Sequence, residues 1–520
     1  MRRDAELGLT TPDTQPFAGF RCKEKKEMQR KNCLLVIGNA TILLRLLVFA
    51  VLAVVCVAGR AQSTIIYDLG YSAPGDNRIS VRITPPLPIA GPAILVIPRT
   101  YPGGYSQVLY DSFVENVIAI SQGGKTLKCM KETDGPRWKI GQKGEDIARI
   151  EYQVNITNME NQLLSAVDTS KVRPGYLGLL GYSIFAYVDG LEREPITLQV
   201  SAPEAWPVLT TLDPHLEVPK ATARAEAADY YSLADSQVLL GPDLQLRRLD
   251  GKIALIMAVY AEGEEDIAAD GKLAREALDR VQDYFGDTPF ATYTVQLELL
   301  RPMAGHDYNF SQEHINSGTF SFSTDSAISA QSSLKQRESN LFNYAHHMAH
   351  SWIPKRAYGA GYRPVTWEMA PVIDTIWFNE GFGRYAALEA LVAGMPAADG
   401  RVLREVQLSR LRGILDSAPP FLRQMPLVVL SREASFLYSS DFRTGMNVFA
   451  RGSLMAAEMD ERIQSKTQHK KSLRDGLRAM LSWSARNQKP FQTNDIPTLI
   501  SNATGVDVRD IFDRWMAPQP

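Results

Sequence analysis

The chain has 520 residues, with 56 lysines and arginines against 58 aspartates and glutamates and a formal net charge of -2. That length exceeds what one hydrophobic core usually supports, so two to four domains are expected. The near-neutral balance, with no basic groove segment in the folded part, excludes a nucleic-acid-binding protein.

The charge is uneven only at the start. Arg21, Lys23, Lys25, Lys26, Arg30 and Lys31 precede an apolar run over 33–59, broken by Asn39, Thr41 and Arg45. Its densest part, 46–59, has the length of a signal-peptide core, and Gly59-Arg60-Ala61 offers small residues where a signal peptidase cuts. The whole run is also long enough to cross a bilayer, with the basic flank kept cytoplasmic. Both readings predict export to the periplasm or cell envelope, either cleaved after about Ala61 or anchored through 33–59. Three of the four cysteines, Cys22, Cys33 and Cys56, lie in this leader. Cys129 stands alone in the remainder, so no internal disulfide is expected.

From about residue 63 to 203 the pattern is β. Ile79, Val81 and Ile83 alternate with polar residues, as do Ile150, Tyr152, Val154 and Ile156, and then Ile196, Leu198 and Val200. Period-two alternation marks strands with one buried face. The apolar 94–97 and mixed 184–188 segments read as more central strands, and turns fall at 74–77, 102–104 and 189–190. A β-sandwich is the expected architecture. Residues 204–230, rich in Ala, Pro and Thr, read as a connector.

Beyond it, 253–259 predicts a strand, 264–285 an amphipathic helix ended by Gly286, and 293–300 another strand. Thr319 to Ser323, polar at alternate positions, predicts an edge strand. A helix then carries His346, His347 and His350, three of the chain's seven histidines. His346 and His350 are four apart and share a face, the spacing of two imidazoles on one metal ion. Downstream, Glu380 stands in a Trp-x-x-Glu-Gly setting before an apolar helix at 385–392. Helical periodicity then dominates at 402–415, 447–463, 472–485, 495–502 and 508–515.

The ordered motifs resemble those of the glycyl aminopeptidase family (metallopeptidase family sixty-one), thermolysin-like zinc peptidases of the gluzincin type. Its hallmark is His-Glu-x-x-His, then about thirty residues, then Trp-Phe-x-Glu-Gly. This chain has His346-His-Met-Ala-His350, the extension Trp352-Ile-Pro-Lys-Arg356, and Trp377-Phe-Asn-Glu-Gly381. The family's Gly-Gly-Leu-Glu-His-x-x-Ser strand is echoed by Phe310-Ser-Gln-Glu313-His314-Ile-Asn-Ser317. Its Pro-Arg-x-x-Pro-Gly-Ser-Tyr segment is echoed within Ile97-Pro-Arg-Thr-Tyr-Pro-Gly-Gly-Tyr105.

The resemblance implies a multidomain α+β protein: a basic N-terminus with signal peptide or membrane anchor (1–61), a β-sandwich (62–215), a thermolysin-like α/β zinc-peptidase domain (216–395) and a helical domain (396–520). The family's C-terminal PDZ module is not expected. His346, His350 and Glu380 would hold one zinc ion. Glu313 and His314 would face the free N-terminus of a peptide or protein, bound as ligand or substrate. Two catalytic positions depart from the pattern. His347 stands where the family has its general-base glutamate. Phe449, in Phe449-Ala-Arg-Gly452, stands where related enzymes have an oxyanion-binding tyrosine, and Tyr438 lies nearby in sequence. A general base is worth roughly 10²–10⁴-fold and an oxyanion donor about 10²–10³-fold. A zinc-binding, catalytically impaired relative is therefore expected. The alternatives are an active aminopeptidase with neutral His347 as base, His347 as a further ligand, and a metal-free peptide-binding scaffold.

Overall fold

A computed structural model describes residues 64–203, 206–213, 222–303 and 306–519. The basic flank, the 33–59 run and the cleavage position at Ala61 lie outside the described residues. Among those described, no helix is long and apolar enough to cross a membrane.

The alternating strands build a seven-stranded sheet in the order Thr222–Ala227, Ile196–Ser201, Ile65–Gly70, Arg78–Thr84, Arg149–Asn155, Val114–Ile120, Thr126–Leu127. Ile79, Val81 and Ile83 point inward from the fourth of these, as their period requires. Two four-stranded sheets and a two-stranded one, Ile89–Ala90 with Asp146–Ile147, complete this part. One four-stranded sheet contains Ala93–Val96 and Arg137–Ile140, the other Tyr176–Leu180 and Gln237–Leu240. The three larger sheets share a core that includes Val81, Leu95, Trp138, Ile150, Leu177 and Val238.

Two segments differ from expectation. The 184–188 stretch is a helical turn at Gly181–Ile184 followed by a two-residue strand, Tyr187–Val188. Tyrosine hydroxyls replace the sheet ladder there. Tyr152 donates to the Ile184 carbonyl at 2.9 Å and accepts from the Ala186 amide at 2.7 Å. Tyr230 donates to Phe185 and Tyr67 to Ala186, so the buried backbone is satisfied without strand partners. The second difference lies in the connector, where Thr222–Ala227 pairs along Ile196–Ser201. Its inward residues are Ala225 and Ala227, whose small size disguises a strand as a loop. Pairing into the N-terminal sheets thus runs on to Leu240.

A five-stranded mixed sheet follows, ordered Gln245–Leu249, Ala254–Ala261, Thr292–Leu300, Ser317–Ser323, Asn309–Glu313. The second to fourth run parallel, and Thr292–Leu300 is buried along its whole length. The helix Ile267–Phe285 packs on this sheet, capped by the Asp266 carboxylate and ended by Gly286 at φ 79°.

The expected edge strand is not at the edge. Ser317–Ser323 lies between Thr292–Leu300 and Asn309–Glu313 and is buried throughout. Its hydroxyls face a polar seam against the N-terminal part rather than water. Ser321 donates to Glu298 at 2.7 Å and to Asp168 at 2.9 Å, and Lys171 reaches Asp168 at 2.6 Å and Glu298 at 2.9 Å. Ser317 donates to Gln237 across the same seam at 2.6 Å.

The C-terminal helices fall where periodicity put them, at Ala397–Asp416, Phe442–Thr467, Leu473–Asn487, Asp495–Thr504 and Arg509–Met516. Leu427–Leu437 is an added one. These helices share one core with the mixed sheet, joining Leu297 and Trp352 to Met455 and Leu477.

One buried carboxyl ties the Ile267–Phe285 helix to the histidine helix. Asp270, 2% exposed, accepts a 3.0 Å bond from Tyr344. Burial pushes its pKa up to about 7; Tyr344 opposes this, and Glu265 and Asp266 add to it. The folded chain therefore keeps a proton that the unfolded carboxyl releases near pH ~3.9. Stability contributed by neutral Asp270 is full below that value and is lost as pH rises towards 7. At 1.36 kcal/mol per unit the loss is up to about 4 kcal/mol. Asp270→Asn is expected to flatten this slope, so that its urea midpoint exceeds the wild type at about pH 8 by more than at about pH 5. Parallel pH profiles in the two proteins would contradict the assignment.

Candidate metal centre

The histidine helix, Leu334–His350, begins with a capping box: Ser333 Oγ accepts from the Gln336 amide, and Gln336 Oε1 accepts from the Ser333 amide. Its inner face buries Leu341, Phe342, Ala345, Met348 and Ala349, which fixes His346 and His350 side by side. His350 Nδ1 lies 2.8 Å from the Ile353 carbonyl. A carbonyl only accepts, so Nδ1 carries the proton and Nε2 is aimed at the site.

Glu380 arrives on a π-helical turn, Trp377–Phe382, which leads into the helix Gly383–Ala393. This turn crosses Phe442–Thr467 at Gly381 and Gly452, each so close to the other's backbone that a Cβ has no room. Tyr105 donates to Glu380 Oε1 at 2.7 Å, leaving Oε2 to the histidines.

The three ligand atoms form a small triangle. His346 Nε2 to His350 Nε2 is 3.0 Å, His350 Nε2 to Glu380 Oε2 is 3.3 Å, and His346 Nε2 to Glu380 Oε2 is 3.7 Å. Tetrahedral zinc with bonds of ~2.0–2.2 Å separates its ligand atoms by about 3.3–3.6 Å. The residues fit the ion, and their partners, Ile353 and Tyr105, set the ligand orientations such a site needs. Electrostatics agree. Burial, with His350 and His347, holds His346 low. His350 rises to about 9 because Glu380 and Glu313 outweigh its burial. A dication would take the place of that proton.

Glu313 ends the edge strand beside this triangle, with Gly103 (φ 91°) packed against its carboxylate. Burial opposes its ionisation, but His350, His347 and Lys355 overcome that and hold it to about 2. His347 Nδ1 lies 3.7 Å from Glu313 Oε2, beyond hydrogen-bond range, and both His347 Nδ1 and Glu313 Oε1 are buried without a hydrogen-bond partner. Burial lowers the His347 pKa more than Glu313 raises it. Glu313, His347 and His350 are also close enough to form a second potential ligand group.

Phe449 stands edge-on to His346, ring centroids 6.4 Å apart, and Tyr438 packs 5.7 Å from both Phe449 and Tyr105. His314 is placed differently. It is 1% exposed, 3.3 Å from Asp235 and stacked on Tyr182. Asp235 also receives Lys355, which donates to the Pro102 carbonyl at 2.9 Å. Tyr105, Asp235 and Lys355 are site-supporting residues to which sequence reasoning gave no role. The signal for the first was its place at the end of the Ile97–Tyr105 motif, and for Lys355 its place in the Trp-x-x-Lys-Arg extension.

This fold and an N-terminal domain of this kind recur in known proteins. Residues 66–242 match the model of the Peptidase M61 N-terminal domain. The structure resembles an aminopeptidase N family protein from Idiomarina loihiensis (TM-score 0.72, 18% identity, 88% of this chain and 76% of that one). It also resembles an M1 zinc metallopeptidase from Deinococcus radiodurans, solved as a mutant with a Tyr-Ser-Ala substrate (TM-score 0.53, 15% identity, 88% and 94%). No curated protein matches. The chain thus has an M61-type N-terminal domain and the fold of aminopeptidase N-like zinc peptidases.

Proposed function

We propose that the chain is an exported zinc-binding protein of the aminopeptidase type that binds peptide or protein N-termini and hydrolyses them weakly or not at all. The His346–His350–Glu380 triangle carries this reading, because its spacing suits one tetrahedral ion with a position left open. Zinc bound there would polarise a carbonyl oxygen. The chain's own residues supply the rest. Glu313, ionised and with Oε1 unpartnered, offers an anion to a ligand ammonium. His347 and Phe449 bring no carboxylate base and no hydroxyl to the places where the resemblance puts them, which supports impaired turnover. Export rests on the basic flank and the apolar run at 33–59.

Elemental analysis is expected to find about one zinc per chain, removable by chelator with a fall in melting temperature. Negligible hydrolysis of glycyl and alanyl anilides should accompany it. A metal-free chain that still binds peptides would leave only the scaffold reading. The second reading, His347 as base, is favoured by the low pKa that keeps its imidazole neutral. Turnover abolished both by chelator and by His347→Ala would establish it.

A further inference from the structure

The histidine helix carries three imidazoles, and His350 pairs with both of the others. It is four positions from His346 and three from His347, so it shares a face with each. Its ring centroid lies 4.5 Å from that of His346 and 5.8 Å from that of His347. A buried carboxylate adjoins each pair. Glu380 Oε2 is 3.7 Å from His346 Nε2, and Glu313 Oε2 is 3.7 Å from His347 Nδ1. The ligand atoms of Glu313, His347 and His350 all fall within 4.8 Å of one another.

The gap between His347 and Glu313 is too wide for a hydrogen bond, yet it equals the His346–Glu380 edge of the metal triangle. Glu313 is 4% exposed, and both its Oε1 and His347 Nδ1 are buried without a hydrogen-bond partner. Buried polar atoms are normally satisfied, and a bound ion satisfies a carboxylate and an imidazole together. Gly103 packs against the carboxylate with no room for a Cβ, which restricts its movement. His350 enters both groups through one atom. Its Nδ1 donates to the Ile353 carbonyl at 2.8 Å, so only Nε2 is free, and one imidazole nitrogen binds one ion. The two groups therefore cannot be filled together.

We propose that Glu313, His347 and His350 form a second seat for a divalent ion of the zinc type, exchanged with the first through His350 Nε2. Two imidazoles and a carboxylate are a donor set for zinc in either seat. The position of the ion then decides what Glu313 offers. With the ion on the Glu380 side, Glu313 is free to pair with a ligand ammonium; with the ion on its own side, it is engaged. This assignment rests on the metal-binding reading above.

The test measures zinc affinity by competition with a chromophoric chelator, using the full chain as wild type, His346→Ala, Glu313→Gln and the double variant. His346→Ala removes a ligand from the first seat only. It is expected to keep one zinc, with a loss smaller than the roughly 10²–10³-fold that a ligand is worth. Adding Glu313→Gln to His346→Ala should cost that full roughly 10²–10³-fold, against less than about tenfold in the wild type. The difference between the two backgrounds is the readout, because the loss of a nearby charge is common to both. Circular dichroism of the metal-free proteins checks folding, and His347→Ala in place of Glu313→Gln repeats the cycle. Equal costs in the two backgrounds would overturn the second seat while metal binding stands. Two zinc ions held tightly by the wild type would overturn the exchange. A wild type that holds no zinc would overturn both this assignment and the reading beneath it.

Discussion

Restoring both missing side chains, His347→Glu with Phe449→Tyr, is expected to raise hydrolysis of glycyl and alanyl anilides by the zinc-loaded chain by about 10⁴–10⁷-fold over the wild type. Each change alone should give less: roughly 10²–10⁴-fold for the base and about 10²–10³-fold for the hydroxyl, with the pair short of the product if they act as a unit. Both positions adjoin the metal triangle. The His347 ring is 5.0 Å from that of His346, so a carboxylate at this position is close to the metal triangle. It would also stand near Glu313, whose charge Lys355 and His350 continue to balance. Phe449→Tyr adds a single oxygen to a ring that already packs edge-on with His346. A double variant that holds one zinc and gains nothing would mean that these substitutions are not what limits the reaction.

Lys171→Met is expected to cost about 3–5 kcal/mol of stability, the penalty for stranding buried carboxylates by removing their cation. Lys171 is 1% exposed and bridges Asp168 and Glu298, and it also donates to the Thr169 carbonyl at 2.8 Å. With the ammonium gone, two carboxylates would accept from the same Ser321 hydroxyl. Burial already raises the Asp168 pKa despite Lys171, so the variant should lose most at neutral pH and recover as acid protonates that group. Lys252→Met is the control, because Lys252 and Asp283 pair in the open with side chains 68% and 67% exposed. Urea unfolding should separate the two variants clearly. Similar midpoints would deny the seam a role in stability.

The triangle was legible because its evidence is local. His346 and His350 are one turn apart on an apolar helix, and Glu380 lies in a short Trp-Phe-Asn-Glu-Gly context. The amphipathic helices and alternating strands were legible for the same reason. What escaped depends on contacts distant in sequence. Serines and threonines at alternate positions look the same whether they face water or a buried Lys171, so Thr319 to Ser323 read as an edge. Tyr152 and Tyr230 satisfy a backbone that otherwise reads as a strand. Ala225 and Ala227 hide a strand in a composition typical of linkers.

The loop from Pro102 to Tyr105 belongs to the sheet-rich part, yet it accepts from Lys355, packs against Glu313 and bonds Glu380, 275 residues further along the chain. On the proposed metal-binding reading, binding and the joining of the two halves would be thermodynamically linked. Whatever free energy a cation gained from a Glu380 held in place by Tyr105 would also oppose separation of the halves, and separation would in turn weaken the hold on the ion. Affinity for the ion would then double as a gauge of how closely the N-terminal sheets are seated on the rest of the molecule.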